Sequence, residues 1–278
     1  MSLHHNKHTI NAEQSYTKTM RIHGKDCTLT VARDGELIPL PYSEETVRQT
    51  SKGYSLPASI GKRNREKSIV TRKIIEGCFT TRLEQSNIVN LFLLFFYLDS
   101  CFDIYADRVF EKIIYKNLNV SGMELRGDNG QAFKLRVDVT GEENSYTENW
   151  PIGLPALPWE HKRTYFFDGN EVRADGVKLP FVYRFEITAD FIEKIKYRIK
   201  LYFPLSEEHY PVKSKIEKLS LLIDARDGVS LDLYDIVPCG GLCDINCPDT
   251  VLCNQLFEVT GPVVLTVRNE KEFTQILL

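Results

Sequence analysis

The chain has no apolar stretch long enough to cross a membrane. Its longest run, Leu91–Leu98, covers eight residues, against the ~20 that a spanning helix needs. It has no marked excess of either charge: 35 Lys and Arg against 38 Asp and Glu leave a net charge of -3. That balance speaks against a general nucleic-acid binder. It has no Gly-x-Ser-x-Gly, no His-Glu-x-x-His and no phosphate-cradling glycine loop before a helix, so the familiar catalytic frameworks find no support. The paired carboxylates Glu142-Glu143 and Glu207-Glu208 stand in polar stretches and read as solvated. The chain is therefore expected not to be an enzyme. The N-terminal segment lacks an apolar signal core, so secretion is not indicated. Residues 1–20 read as a flexible arm, with His4, His5 and His8 as solvated side chains rather than metal ligands.

What is present is a large apolar fraction, 42%, in 278 residues. That excludes global disorder and allows one large β domain, with residues 21–278 taken as that domain. Tyr and Phe number 13 and 15, a composition that favours strands. Period-2 alternation recurs along the chain. Phe133, Leu135, Val137 and Val139 alternate with Lys134, Arg136 and Asp138. Tyr197, Ile199, Leu201 and Phe203 alternate with Lys196, Arg198 and Lys200. Further strands are expected over 216–224, 229–236, 255–260 and 263–268. A hairpin is expected over 21–40, turning at Arg33-Asp34-Gly35-Glu36.

The centre of the pattern is residues 67–102. It reads as two strands joined at Glu76-Gly77, then a helix capped by Ser86. The helix carries Ile88, Val89, Leu91, Phe92, Leu93, Leu94, Phe95, Phe96 and Leu98. Those residues go all round the helix, so it needs cover on nearly every side. A sheet on one side and another subunit on the other would supply it. Leu91, Phe92, Phe95 and Phe96 are accordingly candidate interface residues. Before this stretch, residues 40–67 read as a long loop with prolines, glycines and the basic residues Lys62, Arg63, Arg65 and Lys67. A loop of that length is a candidate arm, and Lys62, Arg63 and Arg65 join the candidate interface. Both tryptophans, Trp150 and Trp159, fall in an irregular stretch that is expected to pack onto something. The expected architecture is mainly β, a sandwich or barrel flanked by one short helix, with long loop arms.

Four of the seven cysteines, Cys239, Cys243, Cys247 and Cys253, lie within a fifteen-residue loop. Zinc, an iron–sulfur cluster, two disulfides or four ordinary thiols all remain open readings. The spacings of three, three and five residues match neither CxxC pairs nor the usual ferredoxin runs. Cys27, Cys78 and Cys101 are expected to be buried. The basic face Lys194, Lys196, Arg198, Lys200 is read as solvated or paired with carboxylates such as Glu186, in preference to a phosphate-binding strip.

The order of features resembles a family. It is carried by Gly24-Lys25-Asp26-Cys27, Arg33-Asp34-Gly35 and Ile60-Gly61-Lys62-Arg63. It continues through Glu76-Gly77-x-Phe79-x-Thr81 with the short helix, and Val120-Ser121-Gly122-Met123-Glu124-Leu125. The hairpin formed by 215–224 and 231–234 completes it. Over residues 21–268 this pattern is similar to the tail tube proteins (major tail proteins) of tailed bacteriophages and related prophages. The resemblance implies a β-sandwich or barrel, six copies closing into a ring, and rings stacking into a tube through which DNA passes without specific binding. It implies a subunit made in the bacterial cytoplasm, partnered by itself and other tail proteins, and residing in the virion. The 40–67 segment would be an arm between rings. The cysteine cluster is not implied by that family. It leaves a metal- or redox-binding protein as one alternative, and another ring or tube component of a phage-like injection machine as a second.

Overall fold

The computed structural model describes residues 27–54, 69–96, 101–108, 111–141, 143–145, 150, 154, 163–191, 195–204, 215–226, 228–244, 252–268 and 273–277. The N-terminal arm 1–20 lies outside the described residues, as do Lys62, Arg63 and Arg65. The strands are β1 (Thr28–Arg33), β2 (Glu36–Leu40), β3 (Glu44–Glu45), β4 (Arg48–Tyr54), β5 (Ile69–Arg82), β6 (Phe102–Asp107), β7 (Lys112–Asp128), β8 (Lys134–Gly141) and β9 (Glu143–Ser145). They continue with β10 (Val172–Ala174), β11 (Val177–Lys178), β12 (Arg184–Asp190), β13 (Lys196–Pro204), β14 (Ile216–Asp224), β15 (Val229–Asp244), β16 (Leu252–Val259), β17 (Val263–Arg268) and β18 (Phe273–Leu277). The helix α1 spans Ile88–Phe96. The protein is mainly β, antiparallel throughout, and its sheet does not close into a barrel.

One ladder organises the rest. It runs β5–β8–β7–β12–β13–β16–β15, every neighbour antiparallel. Two of its strands are long and bent, and each belongs to two ladders. β7 pairs with β8 and β12 through its second half, and with β6 and β9 through its first. β15 pairs with β16 from Ile236 onward, and with β14 and β17 before that. Each changeover holds a non-glycine residue in the left-handed region, Asn117 at φ 53° and Asp235 at φ 53°. Asn and Asp tolerate that conformation best. The bends let two strands turn corners that would otherwise need separate loops.

The inner face of the main ladder is apolar. Met123, Leu125, Leu135, Val137, Ile187, Ile199 and Phe257 are all buried, and they form one core with β15, β17 and α1. Phe133, Phe167 and Phe185 meet with ring centroids 5.2–5.8 Å apart, the spacing of edge-to-face packing.

Several local expectations change. Glu76-Gly77 does not join two strands, because β5 runs straight through it. Gly77 sits at φ 156°, and an added Cβ would stand 2.5 Å from the Val47 Cα; the glycine is there for a close backbone approach. Asn87, not Ser86, stands immediately before the helix, and its side chain turns back rather than capping a helix amide. The Leu91 amide donates to the Asn87 carbonyl at 2.8 Å, and the Asn87 side chain ties back to the Glu84 amide and the Arg82 carbonyl. The 40–67 segment is not one loop, since it holds β3 and β4. The 239–253 segment is not a loop either: it is a hairpin of β15 and β16, with only 245–251 outside the described residues. Cys78 is buried as expected, but Cys27 is half-buried and Cys101 exposed.

Candidate assembly surfaces

At the β5 end of the ladder, the segment before β4 folds along β5. The Ser43 amide donates to the Thr80 carbonyl and the Thr46 amide to the Cys78 carbonyl. A second layer then covers its outer side. Arg108 holds Glu45 with two hydrogen bonds, 2.8 and 3.0 Å, and also donates to the Val47 carbonyl at 2.7 Å. The Tyr115 hydroxyl donates to the same carbonyl at 2.8 Å. Glu45 is 7% exposed at its side chain and Arg108 30%, so this is a largely desolvated, fork-shaped pair. Burial alone would lower the Arg108 pKa, but Glu45 outweighs it and holds the guanidinium charged. Burial pushes Tyr115 up from its ordinary value, and pushes Tyr42, beside Cys27 and Glu45, up to about 12. All three groups keep their neutral-pH forms.

Beyond this seal, β4 and the first part of β5 continue as a two-stranded ribbon. β4 pairs with residues 69–76 of β5, while β8 reaches only as far as Ile75. Among the described residues no strand pairs with 69–74 on the other side, nor with the outer edge of β4. An isolated two-stranded hairpin is marginal in water. This ribbon has the form of an arm whose outer half needs a surface to rest on.

The helix does less at the surface than its sequence suggests. Leu91 and Phe92 are 0% and 1% exposed, with Ile88 beside them. These two candidate interface residues are therefore core residues of the chain itself. They fill the space between the ladder and β15–β17, where Phe92 lines a small apolar cavity with Leu125, Leu135 and Tyr197. Leu93 is 38% exposed and presents the one described apolar side of α1 that stays uncovered. The side chains of Phe95 and Phe96 lie outside the description.

The other end of the ladder is the second half of β15. Over 237–244 it pairs with β16 alone. Val237 is 39% exposed, and Cys239 and Gly240 are exposed. Pro238 and a register break between Pro238 and Gly240 interrupt that edge, two devices that blunt an edge against unwanted pairing.

The same register separates the cysteines. Cys239 sits in the bulge, between residues opposite Phe257 and Leu256, and its Sγ lies 3.9 Å from Glu258 Oε2. Cys253 lies three to four residues further along β16, a distance of about 10–13 Å at the rise of a strand. Thiolates on one zinc lie within ~4 Å of each other. A metal centre holding all of Cys239, Cys243, Cys247 and Cys253 does not fit this backbone. Cys243 instead faces Cys253 directly in the register. Among the described residues no three His, Cys, Asp or Glu side chains cluster for a metal.

The solvent face of the ladder mixes signs along every row. Lys200 stands opposite Glu186, Lys196 opposite Asp190, and Arg198 opposite Glu258. Arg126 and Arg184 both hold Asp128. The basic alternation on β13 is thus flanked by carboxylates, as the solvated reading expects. Trp150 packs edge-on to Tyr105 at 5.9 Å, with Lys112 over its ring. No tetrad, dyad or cradle for catalysis emerges among the described residues. The fold is mainly β, with antiparallel strands in one sheet that is not closed. No protein-family model matches the chain, and no curated sequence is significantly similar to it.

Proposed function

We propose that the protein is a structural subunit of a phage tail tube, self-assembling into stacked rings of six around a lumen that DNA traverses. The observation that carries this reading is the ribbon of β4 and β5. It leaves the ladder just past a sealed joint, and among the described residues its outer half has no strand on either side. A second copy in a neighbouring ring supplies the missing surface, as an inter-ring arm requires. The mixed-sign ladder face supports the same role, because it offers no continuous basic strip to arrest a phosphate backbone. The exposed Leu93 side of α1 gives a further contact to a neighbouring copy. Other tail proteins would meet the tube's ends, and the subunit would be made in the bacterial cytoplasm before reaching the virion.

Electron microscopy of concentrated protein tests this. Rings or tubes are expected. A particle that stays monomeric across concentration, salt and pH overturns the proposal. A shortened ribbon lacking residues 50–73 is expected to keep its fold by circular dichroism and lose stacking.

A further inference from the structure

We infer that Cys243 and Cys253 form a cross-strand disulfide, a redox staple across the β15–β16 hairpin. The two residues are direct partners in the antiparallel register. Directly opposed residues in such a pair have Cα atoms ~4.5–5.5 Å apart and share one face. A disulfide needs Cα atoms about 4.4–6.8 Å apart, a range that covers directly opposed residues. The same register disfavours a link between Cys239 and Cys253. Cys239 lies in the bulge three to four residues away along the ladder, with its thiol directed at the Val237 carbonyl and Glu258. Cys78 is buried in the sheet beside Thr46, and Cys101 is on another element beside Asn119.

The chemistry is thiol–disulfide exchange with a small-molecule disulfide such as oxidised glutathione. One cysteine thiolate attacks the oxidant and releases one reduced thiol. The second cysteine thiolate then attacks the mixed disulfide and releases the other. Two thiols of the protein are oxidised, one oxidant disulfide is reduced to two thiols, and the protons pass to the released thiolates. The staple joins β15 to β16 at the end of the ladder opposite the Arg108 seal. It fixes the segment 237–244 before that end meets anything else. The inference does not depend on the tube reading, since it follows from the hairpin alone.

The full chain is oxidised with glutathione disulfide, alkylated, digested without reduction and mapped by mass spectrometry. A linked peptide pair joining Cys243 to Cys253 is expected. The oxidised protein is expected to melt several degrees above the reduced one, and Cys253→Ser is expected to erase that difference. A dominant Cys243–Cys247 or Cys239–Cys243 link overturns the inference, and so does full alkylation of Cys243 and Cys253 after oxidation. Because Cys253→Ser could itself disturb the hairpin, Cys247→Ser serves as the control. It is expected to leave both the link and the melting difference in place, and loss of the link there also overturns the inference.

Discussion

At one end of the main ladder, Arg108 and Tyr115 reach across from the second layer and occupy the Val47 carbonyl. At the other, β15 runs on past its second neighbour and is interrupted only by Pro238 and a bulge. Both devices solve the same problem, the unpaired amides and carbonyls of a sheet edge. They solve it differently. The Arg108 seal is tertiary, costs desolvation, and fixes the direction of everything that emerges from it. The β15 device is local and leaves the edge approachable. The seal therefore stands beside the ribbon that needs an exact direction, and the blunted edge stands where no long element depends on it.

The largest effect should come from the joint under the seal. Gly77→Ala places a Cβ 2.5 Å from the Val47 Cα and 2.6 Å from the Thr46 carbonyl oxygen. Both are backbone atoms with little room to give. A loss of about 4 kcal/mol is expected, read by urea unfolding. A change under ~1 kcal/mol would mean that the segment 43–47 is free to move, and the contrast between the two ends would collapse.

Next comes Arg108→Ala. It leaves Glu45 buried without its cation and removes one of two donors to Val47. A loss of about 3 kcal/mol is expected, with faster hydrogen exchange across β3 and β4. Exchange in 237–244 should be unchanged, because the two ends share no partner. Equal acceleration at both ends would sink the distinction.

These two predictions rest on features that differ in how visible they are in sequence. The β1–β2 turn was legible because Asp34-Gly35 places both central residues at positive φ, 52° and 84°, the chemistry of a type I′ turn. β14 was legible from alternation and β17 from a short apolar run, and their ends fall where those patterns end. The lengths of β7 and β15 were not. Gly122 and Gly240 look like breakers, yet each sits at a bulge inside a continuing strand. β6 was missed because it is only six residues long and follows the apolar helix closely. The all-round apolar helix was rightly seen as needing cover, but the chain's own core covers Leu91 and Phe92. The seal was invisible: Glu45 and Arg108 are 63 residues apart, and nothing local marks them as partners. Closeness in sequence did not reveal that Cys239 and Cys253 stand apart along a hairpin.

Pro238→Val should act on association rather than folding. It restores an amide and lengthens the flat part of the β15 edge. Unfolding should move by less than ~1 kcal/mol, while light scattering at high concentration should rise. Unchanged scattering would mean that the bulge alone protects this edge. Leu93→Lys should behave in the opposite sense, leaving the fold intact and weakening any ring or tube seen by microscopy; undiminished assembly would remove α1 from the interface.

A further effect lies midway between the two ends. Asp128 is held by Arg126 at 2.8 Å and by Arg184. Burial would raise its pKa, but the hydrogen bonds and charges of the two arginines outweigh it and hold it below the ordinary carboxylate value. The sign follows from that depression. The carboxylate stabilises the fold fully above its unfolded pKa near ~4, and the contribution fades as pH falls through the lower folded value. Asp128→Asn should therefore cost about 1 kcal/mol at pH 7, and the gap between variant and parent should close in acid below pH ~4. Neither end of the ladder should respond, so exchange in 43–47 and 237–244 should match the parent at both pH values. If the gap instead stayed constant with pH, the side chain's shape rather than its charge would be what the two arginines hold. If exchange rose at one end only, the ladder would transmit strain from its middle to that edge, and the two ends could no longer be treated as independent.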